Sequence, residues 1–201
     1  ELMPESRIII INSNLINIDI SVNSIKYKSL SNLEIESRYN QNLLTGCLTL
    51  IDSKFKNVKL KSNGTNCEDD INIIRSSGEI DHIEIKNSNY DAIDFDFSNI
   101  KINNIKITNS GNDCIDFSFG IYLISEAYLN KCKDKAISVG EKSIFLGKNI
   151  NAQNSEIGIA NKDSSDSYIN KISIKNVKNC LDNYKKKKEF ELGRVFIVKK
   201  E

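Results

Sequence analysis

Two short phrases, NYDAIDFDFS at residues 89–98 and GNDCIDFSFG at 111–120, set carboxylates beside apolar residues of core type. Carboxylates gathered on one surface repel, so they must share protons, pair with bases or bind a hard cation such as calcium. Carboxyls about 6.5–9.5 Å apart also suit acid and base work on a glycosidic bond. The plainer alternative is that each Asp caps a turn through nearby backbone N–H groups. The choice depends on whether the phrases meet in space.

The spacing brings them together. Ile71, Ile93, Ile115, Ile137, Ile159 and Leu181 recur every 22 residues. The residue before each is small in most cases: Ala92, Cys114, Ala136, Gly158 and Cys180, with Asp70 the exception. A second apolar series keeps step through Ile83/Ile85, Ile105/Ile107, Ala127/Leu129, Ile150/Ala152 and Ile172/Ile174. Strides of 25 extend it back through Val58/Leu60, Leu33/Ile35 and Ile8/Ile10, and Val195/Ile197 extends it forward. Each pair alternates apolar with polar, the pattern of a half-buried strand. A 22-residue unit is too short to carry a crossover helix. It fits one coil of an all-β, right-handed parallel β-helix of about eight coils, 22–25 residues each, spanning residues 1–201 as one domain. Asn87, Asn109, Asn154 and Asn176, with Lys131 out of pattern, form a column that predicts a coil-to-coil asparagine ladder.

Stacked in this register, the acids form columns. Asp69, Asp91, Asp113 and Lys135 make one; Asn72, Asp94, Asp116, Ser138 and Ala160 a second; Ile74, Asp96, Ser118, Gly140 and Lys162 a third. Six aspartates therefore share one outward face, with Lys135 and Lys162 above them and Glu141 and Lys142 extending it. Asp91, Asp113, Asp94 and Asp116 are the catalytic candidates. Lys135, Lys162, Asn112, Asp96 and Glu141 are the substrate-binding candidates. Calcium at the Asp cluster is the one cofactor considered. His82, alone of its type, lies outside these columns and reads as a solvated strand residue. The basic run YKKKKEFELG at 184–193 breaks the period and reads as a solvated loop.

These phrases also carry a family resemblance. NYDAID, GNDCID, DKAISVGE and GIANK, in that order over residues 67–165, resemble the NTDGxD, GDDC, GHGISIGS and GIRIK motifs of the polygalacturonases. Those are pectin-cutting glycoside hydrolases of the pectin-lyase-like β-helix superfamily. The resemblance implies that Asp91 and Asp113 hold a water. Asn112 stands where the family has its general acid, Lys135 replaces the His, Ala160 replaces the Arg, and Lys162 matches the Lys. An amide has no titratable proton to donate. The resemblance thus implies a polysaccharide-recognising or degenerate carbohydrate-active module, extracellular or in the cell envelope. The alternatives are an active hydrolase or lyase on an acidic glycan, and a structural spacer.

Composition narrows the partners. With 28 basic and 27 acidic residues the net charge is +1, which gives no reason to invoke nucleic acid or an anionic membrane. The longest apolar run, Ile8–Ile11, is far from a membrane span. The opening Glu-Leu-Met-Pro suggests a piece of a longer protein with additional domains. Five cysteines without a CxxC argue against a metal site or disulfide framework and for reduced, packed thiols. Cys114 and Cys180 lie three coils apart, too far to bridge; Cys47 and Cys67 fall on neighbouring coils, and their pairing stays open.

Overall fold

The computed structural model describes residues 6–23 and 43–200. Strands come in the order β1 (Ile8–Ile11), β2 (Asn14–Ile16), β3 (Asp19–Asn23), β4 (Gly46–Ile51), β5 (Lys54–Asn63), β6 (Asp69–Ile74), β7 (Ser77–Ser88) and β8 (Asp91–Asp96). They continue as β9 (Asn99–Ser110), β10 (Ile115–Ser118), β11 (Ile121–Cys132), β12 (Lys135–Gly140), β13 (Ile144–Lys162), β14 (Asp166–Tyr184) and β15 (Arg194–Lys200). Every pairing among them is parallel, and no helix occurs among the described residues. The chain is a parallel β-solenoid.

Register follows the sequence period. Leu48, Ile71, Ile93, Ile115, Ile137, Ile159 and Leu181 stack one above the next, making about six turns where eight were expected. The pair Leu33/Ile35 falls outside the described residues, and the basic stretch before β15 interrupts the last coil.

Inward side chains fill an apolar core. Ile71, Ile93, Ile115, Ile137 and Ile159 are fully buried, as are Ile73, Phe95, Phe117 and Val139 beside them. The long second strand of each coil bends, so that Ile100 and Ile102 face inward on one side of the bend and Ile105 and Ile107 on the other. Two apolar pairs per coil explain three misassigned registers. Val195 and Ile197 lie on Ser167 and Ile169, not on Ile172 and Ile174. Leu60, not Val58, lies against Ile83. Ile8 and Ile10 belong to the other face, against Leu48 and Leu50.

The corners explain residue types that hydropathy does not. Asn87, Asn109, Lys131, Asn154 and Asn176 all have φ between 54° and 65°, a left-handed turn that Asn tolerates better than most side chains. Their amides form the ladder: Asn109 donates to Asn87 at 3.0 Å, Asn87 to Asn63 at 3.0 Å, and Asn176 to Asn154 at 3.1 Å. Lys131 breaks it, and Asn154 turns to Asn130 instead. A second ladder escaped sequence reading. The Ser53 N–H donates to the Ser76 hydroxyl and the Ser76 N–H to the Ser98 hydroxyl, each at 3.0 Å. At the next coil Gly120 has no side chain, and the Tyr122 hydroxyl takes the position, accepting from the Ser98 N–H at 3.3 Å.

The cysteines overturn the expectation of reduced thiols. Cys47 bonds Cys67 and Cys114 bonds Cys132, with Cα–Cα distances of 5.4 and 5.3 Å. Separations of 20 and 18 residues nearly complete a coil, so the ends of one turn meet; vertical register alone does not reveal such pairs. Cys180 is free and exposed rather than inward, near the end of the stack.

Candidate functional site

The acidic face is built on β6, β8, β10 and β12, where the alternation that buries Ile93 and Phe95 turns Asp94 and Asp96 outward. Asp94 stacks on Asp116 and Asn72, and Asp91 on Asp69. The sequence-derived columns are therefore real neighbours.

Asp91 and Asp113 are linked directly. Asp91 Oδ1 accepts the Asp113 N–H and the Asn112 side-chain amide, both at 2.7 Å. Asp113 Oδ1 accepts the Lys135 N–H at 2.9 Å and the Lys135 ammonium at 3.3 Å. That ammonium also contacts Asp134. In the neighbouring columns the Asn72 amide donates to Asp94 at 3.3 Å and Asp96 at 3.1 Å. Lys162 Nζ lies 3.7 Å from Asp116, and the Ser118 hydroxyl donates to Glu141 at 2.8 Å. All nine residues singled out from the sequence thus lie side by side along one face, with Asp113, Glu141 and Lys162 themselves buried in it.

Burial dominates the electrostatics. It pushes Asp69 up to about 8, helped by the charges of Asp91, Asp96 and Asp116 and opposed by a hydrogen bond with Thr45. It pushes Asp113 up to about 7 against the pull of Lys135, and Asp91 up to about 6 against the Asp113 N–H. Asp94, Asp96 and Asp116 are raised too, again by burial first. Burial favours loss of the proton from Lys135 and Lys162. Asp113 and Asp134 outweigh it at the first, and Asp116 and Glu141 at the second, so both stay ammonium and neither serves as a base at neutral pH. Asp69 Oδ2, Asp94 Oδ1 and Asp116 Oδ1 have no hydrogen-bond partner. Among the described residues no group of three or more His, Cys, Asp or Glu is arranged to hold a metal ion.

Two features beside this face had no sequence signal that hydropathy could register. Phe97 and Phe119 follow Asp96 and Ser118 directly, at left-handed corners with φ of 52° and 51°. Their rings stack in parallel, 4.7 Å between centroids and 3° between planes, and they remain 55% and 40% exposed. The basic run is the other. Asp163 Oδ1 accepts the N–H groups of Lys186 and Lys187, Lys187 pairs with Glu141 at 2.7 Å, and Phe190 is buried edge-on to Phe119. The stretch expected to be a solvated loop is pinned as a strap against the site, although its lysines remain exposed.

Elsewhere, shallow hollows of about 510 and 410 Å³ lie on the second strand series, the first lined by Lys59, His82 and Asn104 among others, the second by Glu126, Asn149 and Lys171. None of the acidic-face residues lines them. Comparison with family models, curated proteins and solved structures returned no match to this chain.

Proposed function

We propose that the acidic face and its phenylalanine pair form a polysaccharide-recognition surface. The observation that carries this reading is the Phe97–Phe119 stack, an exposed apolar pair whose parallel rings follow Asp96 and Ser118 directly. A pyranose presents C–H groups on one face and hydroxyls at its rim, and needs both kinds of partner. Coils rise by about 4.8 Å, comparable to the length of one sugar residue, so a linear polymer along the stack meets one coil per sugar. The partial polygalacturonase motifs point the same way. Recognition without turnover is favoured because Asn112 is not an acid and the Asp91–Asp113 pair is held by backbone and side-chain donors.

Burial of two carboxyls is what favours the alternative of an active hydrolase. Carboxyls lifted to about 8 at Asp69 and about 7 at Asp113 carry protons near neutrality, as a general acid must. A panel of linear oligosaccharides separates the readings. Recognition predicts affinity without release of reducing ends or unsaturated uronates, and a loss of about tenfold for Phe119→Ala, or ~1.4 kcal/mol. Products that vanish in Asp113→Asn would establish an enzyme instead. Neither affinity nor products would leave the spacer.

A further inference from the structure

Seven carboxylates make up the acidic face: Asp69, Asp91, Asp94, Asp96, Asp113, Asp116 and Glu141. The basic groups among them are already engaged. Lys135 is held by Asp113 and Asp134, Lys162 by Asp116, and Lys187 by Glu141. Lys142 lies over the Phe190 ring at 5.8 Å. Arg7, the guanidinium near Asp69, donates to the carbonyls of Leu44, Thr45 and Gly46. A uronic-acid polymer would bring further carboxylates to a surface whose nearest cations are already paired, with the exposed Lys185, Lys186 and Lys188 set apart on the strap.

The face lacks donors, not acceptors. Asp69, Asp94 and Asp116 each keep a buried oxygen without a partner. Asp69 matters most, because the residue is only 2% exposed and its unpartnered Oδ2 lies within electrostatic reach of Asp94, Asp96 and Asp116. Such an oxygen calls for a donor brought in with the ligand, and an ammonium supplies three together with the compensating charge.

We propose that the surface selects a glycan bearing free amino groups, a polymer of wholly or partly de-N-acetylated hexosamine, with its C–H groups against the exposed rims of Phe97 and Phe119 and its ammonium groups among Asp94, Asp96 and Asp116. This rests on the recognition reading above and specifies its ligand. The ammonium takes over the role of the protons that the crowded carboxylates otherwise share, so binding releases protons to the buffer. Acetylated hexosamine keeps the ring contact but loses the charge; a lysine peptide keeps the charge but loses the ring contact. The site requires both.

Calorimetric titration of the full chain in chelator tests this with hexamers of glucosamine, N-acetylglucosamine, galacturonic acid and lysine, in buffers of differing ionisation heat. The expected result is at least tenfold tighter binding of the glucosamine hexamer than of any other, with net proton release. Asp96→Asn, at a part-exposed position, is expected to weaken the glucosamine hexamer about tenfold and leave the N-acetylglucosamine hexamer unchanged. Equal or tighter binding of the N-acetylglucosamine or galacturonic acid hexamer overturns the amino-sugar assignment while leaving glycan recognition standing. Equal binding of the lysine hexamer overturns it as mere charge attraction. Failure of every sugar to bind overturns the recognition reading itself.

Discussion

The melting temperature falls by at least about 5 °C as pH rises from about 4.5 to about 8. Asp70 and Asp91 are pushed up to about 6, Asp113 to about 7 and Asp69 to about 8, burial being the largest cause at each. In the unfolded chain these carboxyls release protons near 4. Between the two limits the folded state binds more protons than the unfolded state, so unfolding free energy drops with rising pH. Below about pH 4 the sign reverses. Asp52, Glu79 and Glu84 are held below their ordinary values by Arg75, by Asn103 with Lys101, and by Lys86, and they lose that contribution when protonated. Stability therefore peaks in mildly acidic solution. Asp94→Asn keeps the shape and removes one crowded charge. It should raise the midpoint at pH 8 by about 5 °C, corresponding to ~2 kcal/mol, and change it little at pH 4.5. Thermal denaturation of both proteins across pH is the check; a midpoint that climbs steadily towards pH 8 contradicts the account of buried, proton-sharing acids.

Gly111→Ala should cost about 3 kcal/mol, or roughly 6–12 °C in melting temperature. A Cβ there would sit 1.8 Å from the Asn89 carbonyl oxygen and 2.6 Å from its carbon, both backbone atoms of the coil below. Neither can swing aside. The coils must separate locally, and the next two residues supply the Asn112 and Asp113 donors to Asp91. The substitution thus reaches the site as well as the fold. Gly147→Ala is the comparison: its Cβ would meet buried side-chain atoms of Ile150 and Phe145 at 2.9 and 3.1 Å, which can repack where backbone cannot, and it should cost about 1 kcal/mol. Equal melting temperatures for the two variants would show that coil-to-coil contact at Gly111 is looser than described.

The period of 22 made the architecture and the acidic columns legible, because parallel stacking converts sequence spacing into contact without intermediate choices. Asp91 and Asp113 met as expected for that reason. What stayed hidden involves residues linked in other ways. Cys114 and Cys132 meet because one coil closes on itself. Phe97 and Phe119 look like core residues by type, and only a left-handed corner turns them outward. Lys187 and Phe190 interrupt the period, so no column predicted their places beside Glu141 and Phe119. Tyr122 completes a serine ladder only because Gly120 leaves room for its hydroxyl.

Backbone amide NMR with the tightest-binding oligosaccharide of the panel tests most directly where a glycan lies. Shift changes should concentrate at residues 94–97, 116–119 and 138–142 and disappear in Phe119→Ala. Changes confined to the two hollows on the second strand series, at Lys59, His82, Asn104, Glu126 and Asn149, would contradict the assignment of the acidic face.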